Sequence, residues 1–246
     1  MSKQEVFIGL ALAAACVAAL PAPAAAQDLQ AQEVVVTGSR VQNERDNFAD
    51  IDTGRPAVGV RRDADFLVQT VAIRGDTRDQ EQRRTEIRAM LRQAVQYAAR
   101  YDVELSYGDY VVTPLTLDTI DELAIRRDNR PDSELVTFLV KAKLGGEQTY
   151  ASAQSKIGRY IEAVPENGRA QLDTFGNPAL SVIGPDSYRY QITQEIAEDA
   201  NRIADQLGPE YRVEITGLTS PVQWVQSAPG MVLLYLPYGL KIVPAS

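Results

Sequence analysis

Residues 134–144, ELVTFLVKAKL, alternate apolar and polar side chains over the length of a strand. The apolar positions are Val136, Phe138, Val140, Ala142 and Leu144, and the polar ones between them are Thr137, Lys141 and Lys143. A period of two is typical of a β-strand with one face on a hydrophobic core. We therefore predict a fold built on a sheet that contains this strand.

A second stretch, DFLVQTVAI at 65–73, is apolar on both of its faces. One face would carry Leu67, Val71 and Ile73, and the other Phe66, Val68 and Ala72. Such a strand is expected at the centre of a sheet, with cover on each side. Residues 103–117 are strand-like but interrupted by Gly108 and Pro114, which predicts an edge strand or a bulge.

Three segments, 79–100, 150–164 and 188–207, place apolar residues at helical spacing along a single stripe. Thr77 and Gln80 are expected to form a capping box for the first helix, and Ser187 to cap the third. The pattern as a whole predicts an α+β domain, in which an antiparallel or mixed sheet packs against three helices. Residues 63–246 would form this domain and end in an apolar C-terminal hairpin that turns at 227–230.

The N-terminal part of the chain has a different character. Residues 1–26 combine Lys3, an apolar run at 6–20 and the end Ala24-Ala25-Ala26. This pattern is typical of a secretory signal peptide cleaved after Ala26, and it predicts a periplasmic protein. Residues 27–62 would form a short strand at 33–37 and a flexible polar linker at 39–55. No later apolar run reaches the roughly 18 residues of a membrane helix, so no transmembrane span is expected in the mature chain.

Composition excludes several kinds of chemistry. The chain has no His, and its one cysteine, Cys16, would leave with the signal peptide. A Ser-His-Asp relay, a thiol nucleophile and an imidazole or thiolate zinc site are therefore excluded. Cys16 is not expected to carry a lipid, because apolar residues follow it and Ala13 stands where a leucine-like residue is needed.

Ionisable side chains give no catalytic candidate that stands out. Asp63 and Asp65 are the best carboxylate pair, but loop charges before a strand explain them more simply. We predict no enzyme and no catalytic residue, with an enzyme that uses carboxylates alone as the alternative. A pocket that contains two or more convergent ionisable groups of displaced pKa would overturn the preference for a protein without enzymatic activity.

Cofactors, metals and nucleic acids are not expected as ligands. The net charge of −8 disfavours nucleic acid. The acids of the 118–133 connector lack the regular spacing and the glycine of a calcium loop; they are Asp118, Asp121, Glu122, Asp128 and Asp132. The arginines of the first helix are predicted to form a solvated face; they are Arg83, Arg84, Arg88 and Arg92.

The C-terminal segment is rich in aromatic and large apolar residues, a mixture that is enriched at interface centres. It supplies the candidate protein-interaction residues, which are Trp224, Met231, Leu233, Tyr235, Leu236 and Tyr238. The alternative is that these residues close the core. We expect a homo-oligomer or a complex with another envelope protein, formed through this segment.

The order of elements resembles the SIMPL-domain family of secreted or periplasmic bacterial proteins. The segments that carry the resemblance are VVVTG at 34–38, DADFLVQTVAIRGDT at 63–77, the 134–144 strand and IADQLG at 203–208. The resemblance covers residues 33–218 and implies a role in envelope or oxidative stress defence, and oligomers, but no catalytic residue. The polar insertion after 38 and the C-terminal hairpin depart from the family pattern.

QEVVVTGSR at 32–40 also resembles the start of the plug in TonB-dependent outer-membrane receptors. Because the chain devotes three segments to helices, it does not fit such a receptor itself. An accessory periplasmic partner of a TonB-dependent uptake system is the alternative that this likeness implies. The favoured interpretation is a non-enzymatic periplasmic binding or assembly protein.

Overall fold

The computed structural model describes residues 33–36, 58–108 and 112–245. The predicted signal peptide at 1–26 and linker at 39–55 lie outside these residues. The helices are α1 (Gln80–Ala98), α2 (Tyr150–Ala163) and α3 (Arg189–Leu207). The first strands are β1 (Glu33–Val36), β2 (Val60–Asp63), β3 (Phe66–Gly75), β4 (Glu104–Tyr107), β5 (Thr113–Pro114), β6 (Arg126–Arg127) and β7 (Glu134–Lys143). The later ones are β8 (Gln171–Thr174), β9 (Ala179–Ile183), β10 (Tyr211–Thr216), β11 (Gln223–Ala228), β12 (Met231–Tyr235) and β13 (Gly239–Pro244).

The main sheet has eight strands, and its path runs β1-β9-β3-β7-β4-β5. Two short strands join it at the sides, β6 on β7 and β8 on β3. Two smaller sheets, β10-β13 and β11-β12-β2, complete the molecule, and every pairing described is antiparallel. The α+β fold class is confirmed, with β3 central and the 103–117 region at the edge, as predicted.

α1 and α2 pack on β3 and β7 and cover one face of the main sheet. α3 packs against β10 and β12, which belong to the two smaller sheets. Apolar residues from all three helices join Leu67, Val71 and Ile73 of β3 in one buried cluster. The C-terminal hairpin contributes Val232 and Leu234, which are both fully buried. The predicted apolar stripes of the helices thus pack into the core, together with residues of β3 and the hairpin.

The opposite face of the main sheet carries a smaller apolar cluster of Phe66, Val68 and Leu139. Lys141 and Ser181 share this face and are also buried. The sequence pattern put Lys141 on this face correctly, but it gave no sign that a lysine here would be removed from water.

Both predicted helix caps are wrong. Asp79 caps α1, because its Oδ1 accepts a hydrogen bond of 2.8 Å from the backbone N–H of Gln82. The Thr77 hydroxyl instead donates to Glu86 at 2.6 Å. Ser187 lies in a 3₁₀ turn, Pro185–Tyr188, and its hydroxyl donates back to the Gly184 carbonyl at 2.7 Å. A side chain that lies within a preceding turn satisfies that turn, so α3 begins without a side-chain cap.

The domain begins earlier than the predicted boundary at residue 63. Val60–Asp63 forms β2, which pairs with β12, so these residues belong to a sheet of the domain. Four residues that alternate in exposure are too short a signal to separate from loop in the sequence. Among the described residues, no helix is both long and apolar enough to cross a membrane.

Candidate anion-binding clefts

Chain segments that are far apart in sequence meet at one end of the main sheet. β3 ends there at Gly75, which is paired with Glu134 at the start of β7. β6 and β8 pair with the same ends, and α1 begins just beyond them. This arrangement collects seven arginines, which are Arg74, Arg78, Arg83, Arg84, Arg127, Arg130 and Arg169.

Two clefts open at this end of the sheet, and Ser133 lines both. The first, which we call the Asp76 cleft, has a volume of about 390 Å³ and is lined by Arg74, Asp76, Arg130, Ser133, Gly168, Arg169, Gln171 and Asp173. The second, the Glu134 cleft, has a volume of about 440 Å³ and is lined by Arg78, Gln80, Arg83, Arg84, Ile125, Arg127, Asp132, Ser133 and Glu134. Arginines outnumber carboxylates in both linings, although the chain as a whole carries a charge of −8.

Glu134 organises the Glu134 cleft. Its Oε2 accepts a hydrogen bond of 2.9 Å from Nε of Arg83, and its Oε1 accepts bonds of 3.1 and 2.8 Å from Arg84. Gln80 adds a donor at 3.2 Å. Burial alone would raise the pKa of Glu134, but the hydrogen bonds from Arg84, Gln80 and Arg83 outweigh it and lower the pKa to about 2. The carboxylate is therefore charged throughout the physiological range.

Arg83 corrects the prediction of a solvated arginine face. Its side chain is 7% exposed and is held by Glu134 and by the Thr77 carbonyl, at 2.6 Å. Arg84 also pairs with Glu134, whereas Arg88 and Arg92 are exposed as predicted. A signal was present in the sequence, because Arg83 lies one turn before Ile87 on the apolar stripe of the helix.

Ion pairs engage two of the arginines that line the Asp76 cleft. Arg169 binds Asp76 through two parallel bonds of 2.7 and 3.1 Å, and Arg74 binds Asp128 at 2.6 Å. Behind Arg169, Glu86 accepts a hydrogen bond from the backbone N–H of that residue at 3.2 Å. The hydrogen bond from Thr77 is the main reason that the pKa of Glu86 lies below its usual value. These contacts fix the backbone that lines the cleft.

Three arginines remain for a ligand. Arg78, Arg127 and Arg130 line the clefts, and none of them has a carboxylate within 4.0 Å in the described part of the chain. Asp132 and Asp173 also lie in the linings, so the positive surface is interrupted and not continuous. Guanidinium groups recognise carboxylates and phosphates through paired N–H donors. The arrangement is suited to binding an anion.

The direction of the pKa shifts bears on the enzyme alternative. The Glu134 cleft does hold two ionisable groups of displaced pKa, because the hydrogen bond from Arg84 to Glu134 raises the pKa of Arg84. Both shifts move away from neutral pH and stabilise the charged forms. General acid–base catalysis requires the opposite, a pKa near the operating pH. The shifts therefore fit a fixed charge pair better than a proton-transfer site.

The other predicted candidates lie elsewhere. Asp65 forms an ion pair with Arg62 of β2 at 2.6 Å and accepts a hydrogen bond from the backbone N–H of Ile183 of β9 at 2.8 Å. Its carboxylate therefore links these two strands. Asp63 is the last residue of β2 and lines neither cleft. Of the connector acids, Asp128 pairs with Arg74 and Glu122 accepts from the Tyr107 hydroxyl. Among the described residues, no group of three or more His, Cys, Asp or Glu side chains is close enough together to hold a metal ion.

The six predicted interaction residues divide into two groups. Trp224, Leu233 and Leu236 are buried inside the chain, and Trp224 and Leu236 belong to the main core cluster. Met231, Tyr235 and Tyr238 are half-buried. This placement favours the alternative that the segment closes the core, because its most apolar side chains already have partners within the molecule.

Comparisons of the chain with protein-family models, with curated proteins and with solved structures gave no match. The arguments for function therefore rest on the residues and their geometry.

Proposed function

We propose that the protein is an exported, non-enzymatic periplasmic protein that binds a ligand carrying carboxylate or phosphate groups at the Asp76 and Glu134 clefts. The carrying observation is the set of Arg78, Arg127 and Arg130, which line the clefts without a carboxylate partner among the described residues. In an acidic chain, cations concentrated at one end of the sheet provide local attraction for an anion.

The sequence supports the remaining parts of the proposal. Export rests on residues 1–26, and a role in envelope or oxidative stress defence rests on the SIMPL-domain resemblance. That resemblance rests on the segments at 34–38, 63–77, 134–144 and 203–208 and on the order of elements predicted around them. Self-association, or a complex with another envelope protein, belongs to the same proposal.

The binding test uses calorimetric titration of the purified protein with pyrophosphate and, separately, with a tetraglutamate peptide. A charge-assisted hydrogen bond contributes about 1.5 to 3 kcal/mol, and 1.4 kcal/mol corresponds to tenfold in affinity. We expect Arg127→Gln/Arg130→Gln to weaken binding of the preferred probe at least about tenfold. The matched control is Arg88→Gln/Arg92→Gln, which removes two exposed arginines that line neither cleft.

The two probes distinguish the anion chemistry. Tighter binding of pyrophosphate would assign a phosphate-bearing ligand, and tighter binding of the peptide would assign a carboxylate-bearing one. If both double variants weaken binding equally, the loss of affinity follows from the change in net charge alone, and the clefts are not the binding site. Failure of both probes to bind at millimolar concentration would refute the proposal as well.

Export has its own test. Expressed in a bacterium with its leader, the protein should appear in the periplasmic fraction with Gln27 as its N-terminal residue, identified by mass spectrometry. Recovery of the protein from the cytoplasm with residues 1–26 still attached would contradict this part of the proposal.

A further inference from the structure

Lys141 is a lysine removed from water on the face of the main sheet that the helices do not cover. Its side chain is 5% exposed, and its Nζ lies 2.6 Å from Oε2 of Glu33 and 4.2 Å from the centroid of the Phe66 ring. Glu104 is a weaker partner, at 3.5 Å and half exposed. A buried ammonium group is costly without a close carboxylate, so Glu33 is its principal partner.

Glu33 reaches this lysine from a distant part of the chain. The two residues are 108 positions apart, and Glu33 lies on β1, at the end of the sheet path. Its other oxygen, Oε1, accepts a hydrogen bond from the hydroxyl of Ser181, which is fully buried on β9. Both carboxylate oxygens are therefore held by residues of other strands, β7 and β9.

β1 is a short strand whose backbone and first side chain are both bound by other strands. Its four residues pair antiparallel with β9, from Glu33 opposite Ile183 to Val36 opposite Leu180. The backbone pairing suits any extended segment, whereas Lys141 and Ser181 contact specifically the carboxylate at its first position. Residues 37–57, which connect β1 to the described domain, span up to roughly 70 Å when extended.

We propose that the edge of β9, together with Lys141 and Ser181, is a strand-acceptor site, and that copies of this protein self-associate by exchanging residues 33–36 through it. The same segment from a second copy brings the same carboxylate and the same backbone groups, so exchange conserves every contact of the site. Pairing within one chain is intramolecular, and segments linked in one chain can reach effective concentrations in the millimolar range. The strand of the same chain therefore occupies the site in dilute solution, and exchange grows with protein concentration.

The test is disulfide trapping in the whole chain with Cys16→Ser, which leaves no native cysteine. Val34 and Val182 are cross-strand partners. A chain with Val34→Cys is mixed with a chain with Val182→Cys and oxidised with copper phenanthroline. The control mixture pairs Val34→Cys with Arg92→Cys, an exposed position on α1 that is not opposite β1.

Exchange predicts a Val34→Cys/Val182→Cys heterodimer at least about fivefold above the control, with a yield that rises with concentration. Glu33→Lys in both chains places a like charge beside Lys141 and should reduce the heterodimer to the control level. Glu81→Lys, an equal charge change at an exposed position of α1, should leave it unchanged.

Three outcomes would overturn the proposal. The first is a heterodimer yield no higher than the control at any concentration up to about 1 mM, where the effective concentration is matched. The second is an unchanged yield with Glu33→Lys, because the carboxylate would then not be recognised. The third is failure of a single chain carrying both cysteines to close its own disulfide when dilute, because the pairing itself would then be absent.

Discussion

Glu134 forms ion pairs with two arginines through its one carboxylate, and Arg83 depends on it most because Arg83 and Glu134 are both buried. Removing one partner of a buried ion pair leaves an uncompensated charge and costs about 3 to 5 kcal/mol. We expect Glu134→Gln to lower the free energy of unfolding by about this amount, measured by urea denaturation at pH 7. The control is Glu195→Gln, an exposed position on α3, which should change stability by less than about 0.5 kcal/mol. Equal effects of the two substitutions would contradict the network.

The same residue predicts how stability depends on pH. The pKa of Glu134 is about 2 in the folded protein, against 4.5 for the unperturbed group. Between these values the unfolded chain takes up a proton that the folded one does not, so this stabilisation is complete above the unfolded pKa and is lost as pH falls towards 2. The stability difference between the wild type and Glu134→Gln should therefore be constant above about pH 5.5 and shrink below pH 4.5. A difference that stays constant down to pH 2.5 would contradict the lowered pKa.

Gly168 illustrates a residue whose side chain would collide with the network. Its φ is +60°, and a Cβ at this position would lie 2.4 Å from the carboxyl carbon of Glu86. Gly176 also has a positive φ, +76°, but no atom lies within 4 Å of its Cβ position. Backbone strain alone predicts a loss of about 1 to 2 kcal/mol for Gly176→Ala. Gly168→Ala should lose at least about 1 kcal/mol more, because Glu86 must give up hydrogen bonds.

Thermal and urea unfolding of both glycine variants would measure this difference. The Arg169 backbone should also become more mobile in Gly168→Ala, since Glu86 accepts a hydrogen bond from its N–H. Equal losses for the two variants would indicate that Glu86 moves aside without cost.

At the scale of elements, the C-terminal hairpin is part of the core. β12 lies between β11 and β2, and it contributes Val232, Leu233 and Leu234, all buried. At about 2 kcal/mol for each buried side chain, the loss of these three and Leu236 approaches the total stability of an ordinary domain. Truncation after Gln226 should therefore abolish the cooperative thermal transition followed by circular dichroism. A truncated chain that melts like the wild type would instead support the predicted interface in this segment.

Patterns of the sequence predict elements better than the contacts between them. The alternation at 134–144 and the apolar stripes of the helices gave strands and helices that the structure confirms, because each depends on neighbours in the chain. The burial of Lys141 was not predicted, because its partner Glu33 is 108 positions away. For Arg83 the helical stripe indicated burial, but its partner Glu134, 51 positions away, left no signal. Long-range ion pairs leave no periodic signal, and such pairs form part of the lining of both clefts.

At the scale of the whole molecule, the β2–β12 pairing joins the beginning of the domain to its end, with Val60 opposite Leu234. Folding rates fall as contacts become more distant in sequence. The partner of β2 leaves the ribosome roughly 170 residues later, which takes about 10 to 30 s at common rates of synthesis. During that time the sheet β11-β12-β2 cannot form, and the side chain of Val60 stays exposed to solvent or to a chaperone. This delay is compatible with the proposed export, because a chain whose core stays incomplete until β11 and β12 have been made can pass through a narrow channel before it folds.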